Sequence, residues 1–106
     1  MFCMISIKIH KSYRYVIAIC DSNLIGEKFE EKFEKGIKQL DLRENFYKNK
    51  ELSYKETVKL MKEQAKEDAT FNIVGKNSIK AALKAGIIGK PGIGKIDGIP
   101  YALVLL

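Results

Sequence analysis

The sequence is poor in the residues that build metal sites, disulfide scaffolds and membrane spans. It has two cysteines, one histidine, two prolines and no tryptophan. Cys3 and Cys20 form no CxxC or CxxxC pair, and with His10 they are too few for a structural zinc site. No apolar run approaches the roughly 18–20 residues that cross a bilayer, and residues 1–10 lack the apolar stretch of a secretory signal. We therefore expect a reduced, cytoplasmic protein with no metal, cofactor or membrane partner.

Length and composition fit one folded domain. The chain has 106 residues, of which 46% are hydrophobic. This is too short for two cores with a cleft between them, and too apolar for a disordered protein. No repeat, linker or low-complexity segment divides the chain, so residues 1–106 are predicted to form a single domain.

Lysine, with hardly any arginine, makes the chain basic. Nineteen basic residues against 13 acidic ones give a net charge of +6, and only Arg14 and Arg43 are arginines. Arginine is the usual reader of base edges, so this balance favours diffuse contacts over sequence-specific readout. A lysine-rich composition also fits genome bias or a hot habitat. The excess lies late in the chain, where residues 72–106 carry five lysines and one acid, Asp97.

Alternation predicts a hairpin near the start of the chain. Isoleucines alternate with polar residues over residues 4–10, which is typical of a half-buried strand. Residues 13–20 are apolar on both faces toward their end and indicate a central strand.

The register of this hairpin follows from the turn that joins its strands. With residues 11–12 as a two-residue turn, His10 would face Tyr13 and Cys20 would face Cys3. Cys20 then lies seven residues from His10, roughly 23 Å at about 3.3 Å per residue, which excludes a thiol–imidazole dyad. Two alternatives remain for Cys20: a cross-strand disulfide with Cys3, or buried packing.

The middle of the chain is ambiguous. Residues 24–36 fit a helix by the four-residue spacing of three apolar side chains, and fit a loop or extended chain by their glycine and alternating charges. A short strand is predicted at residues 37–42 and another at residues 46–47.

Two helices are predicted in the second half. The first begins at Ser53, where Ser-Tyr-Lys-Glu forms a capping box ahead of an apolar stripe. After a turn or short extended stretch at residues 70–75, the second spans residues 77–85 or 78–85 and stops at Gly86. The residues expected to face inward on the second helix are Ile79, Ala82 and Leu83.

A tight hairpin is predicted at the end of the chain. Asp97-Gly98 between two isoleucines is a strong two-residue turn signal, and residues 101–106 indicate an apolar strand. All elements together predict an α+β domain, a two-layer sandwich in which two helices pack on one face of a mostly antiparallel sheet.

One segment fits the phosphate-binding loop pattern in the wrong context. Residues 89–95 match GxxxxGK, in which backbone amides cradle phosphates and the lysine reaches them. The next residue is Ile96 instead of Ser or Thr, a helix precedes the segment, and a hairpin follows it. We interpret the segment as a glycine-rich connection.

The start of the second helix is a candidate anion site. Gly75 and Lys76 lead into Asn77 and Ser78, and free amides at a helix N-terminus bind anions. The alternative is ordinary capping of the helix by Asn77 or Ser78.

Three lysines recur along the second helix. Lys76, Lys80 and Lys84 are four residues apart, so they share one face, and no acids interleave with them as they do in the first helix. Lys90 and Lys95 follow on the next loop. The leading hypothesis is a non-enzymatic module that binds RNA or a ribonucleoprotein through these lysines; the alternative is a solvated helix face.

Two other classes of function stay open. A small enzyme or ligand-binding protein would use a pocket near His10, Tyr47, Asn72 and Tyr101, where aromatic and polar side chains lie close to glycine turns. A protein-interaction subunit would use exposed strand edges, and pairing of such edges predicts a homodimer.

Short motifs spread from residue 4 to the C-terminus point to a family. They are MISIKIH at 4–10, CD at 20–21, LIG at 24–26, FEE at 29–31, NFY at 45–47, NIVG at 72–75 and GIP at 98–100. Together they resemble a small archaeal family of unknown function, DUF424. The resemblance implies a compact two-layer α+β fold and an archaeal cytoplasmic protein, and it brings no established activity.

The sequence departs from the family pattern in three places. Tyr101 stands where the family commonly has histidine, so if the family had a histidine-dependent reaction at this position, Tyr101 would put it in doubt for this chain. The stretch at residues 33–36 is longer than usual. The family tends to start at Met-Ile, so residues 1–3 are expected to be an N-terminal extension.

Overall fold

The computed structural model describes residues 4–11 and 13–105. In chain order its elements are β1 (Ile5–Lys11), β2 (Tyr15–Asp21), β3 (Lys28–Phe33), β4 (Gly36–Asp41), α1 (Glu44–Tyr47), β5 (Lys50–Leu52), α2 (Tyr54–Ala65), β6 (Thr70–Val74), α3 (Lys76–Ala85), β7 (Gly94–Ile96) and β8 (Ile99–Val104). Short 3-10 turns lie at Ser22–Leu24 and Lys90–Gly92.

A mixed sheet of six strands organises the described residues. Its order is β5-β1-β2-β6-β8-β7, and every neighbouring pair is antiparallel except β2 with β6. The two long helices, α2 and α3, pack on one face, while β3 and β4 form a separate two-stranded sheet. The predicted α+β class, with two helices on one face of a mostly antiparallel sheet, is confirmed.

Alternating side chains give the larger sheet two apolar faces. Ile19 belongs to the cluster packed under α2 and α3, whereas the next residue, Cys20, belongs to a cluster on the opposite face. The helix-side core includes Ile5, Ile7, Ile17, Phe71, Ile73, Met61, Ile79 and Ala82. The opposite cluster joins Ala18, Cys20 and Val74 to Leu42 and Tyr47.

The β3–β4 hairpin and α1 cover this second face. Residues 24–36 are therefore not a helix, and the extended alternative is correct, with Phe29 and Leu40 packed inward. The strand predicted at residues 46–47 is wrong, because these residues close the helical turn α1. β5 already occupies the free edge of β1, so a strand at 46–47 would have no neighbour to pair with there.

Several local signals fold as predicted. Ser53 and Glu56 form the reciprocal capping box of α2, at 3.2 and 3.0 Å. Gly86 ends α3 in the left-handed conformation. Asp97 and Gly98 both have positive φ, at 52° and 78°, as a type I′ hairpin turn requires. The stretch at residues 70–75 is extended, and most of it forms β6 at the centre of the sheet.

The predicted register of the first hairpin is wrong. Lys11 pairs with Tyr15, so three positions and not two separate the strands, and Cys20 faces Ser6. The error came from assuming a two-residue turn. Cys20 is a free buried thiol, and the disulfide considered with Cys3 lies outside the described residues, as does the predicted extension at residues 1–3.

One inward position of α3 is also wrong. Ile79 and Ala82 are buried as expected, but Leu83 is 36% exposed and Ala81 is buried in its stead. At about 100° per residue, the buried arc of α3 runs through positions 78, 79, 81 and 82, and position 83 lies on its rim.

Candidate functional site

The parallel pair of strands positions the start of α3. Because β2 and β6 run in the same direction, their carboxyl ends meet at one edge, where Cys20 pairs with Val74. Asp21 ends β2 and Gly75 follows β6, so the two residues lie side by side.

The Asp21 carboxylate binds the N-terminus of α3. It accepts the backbone N–H of Asn77 at 3.1 Å and that of Ser78 at 2.8 Å, the Ser78 hydroxyl at 2.7 Å and the Asn77 amide at 3.4 Å. The expectation that Asn77 or Ser78 caps α3 is wrong: the N-cap residue is Gly75, without a side-chain cap. A carboxylate from another strand therefore holds the free amides and offsets the positive helix end.

Gly75 is required for this contact. Its backbone φ is 109°, which residues with a Cβ rarely adopt. An added Cβ would also come within 2.4 Å of the Asp21 Cγ. The carboxylate therefore reaches the amides only past a residue without a side chain.

The three α3 lysines form one exposed row. Lys76, Lys80 and Lys84 are all exposed, and within the described part of the chain none of them makes an ion pair. We call these three residues the lysine row. Lys95 pairs with Pro100, whose carbonyl accepts the Gly75 N–H at 2.9 Å, so Lys95 lies level with the start of α3. Lys90 is exposed in the turn that follows the helix.

An open groove lies beside the lysine row at the carboxyl edge of β2 and β6. Its volume is about 840 Å³, and we call it the α3 groove. Lys76, Asn77 and Lys80 line it from the helix; Asp21, Ser22, Asn23 and Leu24 line it from the end of β2 and the following turn. Met4, Glu51, Ile99 and Pro100 complete it. Three of the predicted anion-binding residues thus share one concave surface.

A second groove lies between the β3–β4 hairpin and the face of the sheet. Its volume is about 390 Å³, and we call it the hairpin groove. Tyr47, Asn72 and Tyr101, three of the four predicted pocket residues, line it together. The fourth, His10, is not part of its lining. The His10 Nε2 is 2.8 Å from the Phe46 carbonyl oxygen, and the His10 ring stacks on the Phe46 ring at 4.4 Å.

Burial tunes two titratable groups on this face. Burial raises the pKa of the Cys20 thiol to about 12, and the nearby Asp21 charge adds to the shift. Burial also raises the pKa of the Tyr47 hydroxyl to about 12, with a smaller contribution from Cys20. His10 faces Val16 and lies four residues along the sheet from the position of Cys20, about 13 Å, so the two form no dyad.

The GxxxxGK segment at residues 89–95 forms a connection after a helix, as the sequence context indicated. It follows α3 and leads into the β7–β8 hairpin, and the Gly92 and Ile93 amides are bonded to Gly89 and Lys90 carbonyls within the turn.

In residues 4–11 and 13–105 no group of three or more His, Cys, Asp or Glu side chains is arranged to hold a metal ion. No helix in the described chain is both long and apolar enough to cross a membrane.

Sequence reasoning missed the role of Asp21. In the sequence, Asp-Ser-Asn after an apolar strand indicates a turn and nothing more. The available signal was an acid at the end of one buried strand and a Gly-Lys-Asn-Ser helix start after another, which only parallel pairing brings together.

Comparisons with known proteins agree with the fold. Residues 10–106 match a family described as a protein of unknown function, DUF424. A crystal structure of an uncharacterized conserved protein from Methanopyrus kandleri is similar, with a TM-score of 0.82 and 24% sequence identity over 96% of this chain and 92% of that chain. No curated protein matches.

Proposed function

The chain belongs to the DUF424 family, whose function is unknown, and we propose from its own surface that it is a non-enzymatic module that binds RNA or a ribonucleoprotein. The contact surface in this proposal is the lysine row together with the α3 groove. The observation that carries it is the row itself: three exposed lysines on one helix face, with no ion pair among the described residues.

The dimensions of the row suit a phosphate backbone. Lys76 and Lys84 are eight residues apart, about 12 Å along the helix axis at 1.5 Å per residue. This distance covers a few phosphates of a nucleic acid strand. Each lysine carries a hydrated point charge on a flexible stem, which suits contacts with phosphates of variable position.

The α3 groove widens this surface. Lys76 and Lys80 border it, so a strand held by the row would have its sugars or bases beside Asn77, Ser22 and Asn23. The Asp21 carboxylate is bonded to the α3 amides and is not free to attract a cation. Because lysine contacts to phosphate carry no sequence information, we expect binding with little sequence preference.

A homodimer through strand edges is a weaker proposal. The outer strands of the larger sheet, β5 and β7, have three residues each. So short an edge offers few backbone groups to a second chain, which is how natural sheets avoid edge pairing. Light scattering of the purified protein tests it directly.

The RNA proposal is tested with two variants of equal charge. The first is Lys76→Gln, Lys80→Gln, Lys84→Gln. The second is Lys55→Gln, Lys59→Gln, Lys62→Gln, which removes three exposed lysines from α2. Both lose three positive charges, so a difference between them reports position and not net charge. Binding of a labelled mixed-sequence 12-nucleotide RNA is measured by anisotropy from 25 to 400 mM KCl.

We expect the wild type to bind RNA at low salt and to lose affinity steeply as salt rises. The α3 variant should bind more weakly and flatten the slope of log K against log salt by about 2, since each single-strand phosphate contact contributes about 0.7. The α2 variant should stay near wild type, and melting temperatures should change little. No RNA binding by the wild type at 25 mM KCl, or equal losses in both variants, would reject the proposal.

A further inference from the structure

The hairpin groove is a second concave site, on the face of the sheet opposite α3. One wall is a continuous stretch of β4, residues 38–41. The other wall comes from paired positions of β6 and β8, where Asn72 faces Leu103 and Val74 faces Tyr101. A space between a strand and a sheet face is a slot, and its volume of about 390 Å³ is in the range of small-molecule sites.

Tyr47 presents an unused polar group to this slot. Its side chain is only 8% exposed, yet no described residue forms a hydrogen bond with its hydroxyl. The hydroxyl oxygen is not completely enclosed, because every fully enclosed side-chain nitrogen or oxygen of the described residues has a hydrogen-bond partner. A nearly buried phenol that lines a groove and has no partner among the described residues can donate a hydrogen bond to a ligand there.

Asn72 and Tyr101 add two further polar groups. Neither side chain makes a hydrogen bond to another described residue, and both lie on the same face of the sheet as Val74. The Tyr101 ring lies over β7: a Cβ on Gly94 would come within 2.7 Å of the Tyr101 ring. The slot therefore has an aromatic ring on its β7 side and an amide on β6.

Most polar groups of the slot are uncharged or paired. Asp41 is paired with Arg43 at 2.8 Å. The Lys38 ammonium keeps its charge and lies 5.3 Å from the Phe33 ring centre. The Tyr47 hydroxyl is protonated at neutral pH, where it can donate a hydrogen bond, and burial raises its pKa further, to about 12. A carboxamide offers donors and an acceptor together, and can bind two adjacent polar atoms on the edge of a ring.

We propose that the hairpin groove binds a nucleobase-type ring, an uncharged planar heterocycle with amide-like donors and acceptors on its edge. Leu40, Val74 and Ile96 supply the apolar surface for the ring faces. Tyr47, Asn72 and Tyr101 supply the hydrogen bonds to its edge. The proposal does not depend on the lysine row, which lies on the other side of the sheet.

The test uses adenosine, guanosine, cytidine and uridine as separate probes of the full-length protein. Amide proton–nitrogen spectra are recorded during titration to millimolar nucleoside. At least one nucleoside should shift the amides of residues 38–41, 47, 72 and 101 in a saturable way. Tyr47→Phe removes one hydroxyl and should weaken this binding about fivefold, as loss of one neutral hydrogen bond does. Asn72→Ala should weaken it at least as much.

Two controls separate the outcomes. Tyr15→Phe changes an exposed tyrosine outside the groove and should leave nucleoside binding unchanged. The α3 lysine variant should also keep it, whether or not that variant binds RNA. If Tyr47→Phe also weakens the 12-nucleotide RNA complex, the bound base belongs to an RNA strand; if RNA affinity is unchanged, the ligand is a free nucleoside. Absence of saturable shifts with all four nucleosides, or full binding by Tyr47→Phe and Asn72→Ala, would overturn the proposal.

Discussion

The Asp21 carboxylate accepts both the backbone N–H and the hydroxyl of Ser78, at 2.8 and 2.7 Å, although the two residues are 57 positions apart. Asp21 and Ser78 are both buried. Asp21→Ala would leave two α3 amides and a buried hydroxyl without partners, so we expect the free energy of unfolding to fall by about 2–4 kcal/mol. Urea denaturation measures this loss.

The reference variants for Asp21 are Asp21→Asn and Glu34→Ala. Asn keeps one acceptor oxygen and should lose less stability than Ala. Glu34 is exposed in the turn of the β3–β4 hairpin, so its removal should change stability by less than about 0.5 kcal/mol. Equal stability of Asp21→Ala and wild type would contradict the role given to this carboxylate.

Gly75→Ala should be strongly destabilising. The new Cβ would meet the Asp21 Cγ at 2.4 Å, and alanine would have to adopt a φ of 109°. Backbone strain of this kind costs about 1–3 kcal/mol, to which the displaced carboxylate adds its lost hydrogen bonds. Gly92→Ala is the matched control, because nothing lies within 4 Å of its added Cβ. Thermal unfolding should separate the two variants by several degrees, and coincident melting curves would refute the argument.

The capping box of α2 predicts a pH dependence. Hydrogen bonds from the Ser53 backbone and hydroxyl hold the pKa of Glu56 below its ordinary value of 4.5. A lowered pKa in the folded protein means that the Glu56 contribution is present above about pH 4.5 and is lost as the pH falls through the folded value.

Glu56→Gln should therefore differ from wild type more at pH 7 than at pH 3. Urea midpoints at both pH values measure this difference. Ser53→Ala removes the cap itself and should cost about 1 kcal/mol at pH 7. A Glu56→Gln effect that is the same at both pH values would mean that the carboxylate charge does not contribute.

Cys20 should react slowly with thiol reagents while the protein is folded. Burial raises its pKa from 9.0 to about 12, so at pH 8 very little of the nucleophilic thiolate is present. In a Cys3→Ser background, reaction with a disulfide reagent should be slower by about two orders of magnitude or more than in guanidinium. Reaction at equal rates in both states would contradict the burial.

The same shift has a consequence for stability at high pH. Because the folded pKa values of Cys20 and Tyr47 are raised, their contribution is complete below about pH 9 and is lost as the pH rises toward 12. The wild type should lose more stability between pH 8.5 and 10.5 than a Cys20→Ala, Tyr47→Phe variant. Circular dichroism at a fixed urea concentration, recorded as the pH is raised, measures this loss.

Local patterns predicted most elements of the fold, and long-range contacts explain the errors. Alternation predicted β1, and Ser53 with Glu56 predicted the start of α2, because both signals act within one element. The cross-strand partner of Cys20 depends on a loop length that neighbouring residues do not fix. The role of Asp21 depends on its contact with α3, which follows β6 much later in the chain.

The candidate site was predictable only in part. The spacing of Lys76, Lys80 and Lys84 fixes their shared face, since it follows from helix geometry alone. The grouping of Tyr47, Asn72 and Tyr101 around one groove was expected from their chemistry, but His10 was wrongly included. The His10 ring stacks on the Phe46 ring instead, and this contact depends on the position of α1 over the sheet.

The parallel β2–β6 pair also bears on the order in which the elements of the fold assemble. β1 and β2 form a local hairpin, and β6, α3, β7 and β8 are contiguous in the chain. The seam between these two units pairs Val16 with Thr70, so 54 positions must be closed into a loop before it forms. Closure of a long loop is slow compared with local pairing. We therefore expect the two units to form first and to dock along the seam last, with the bonds from Asp21 to Asn77 and Ser78 made in that final step.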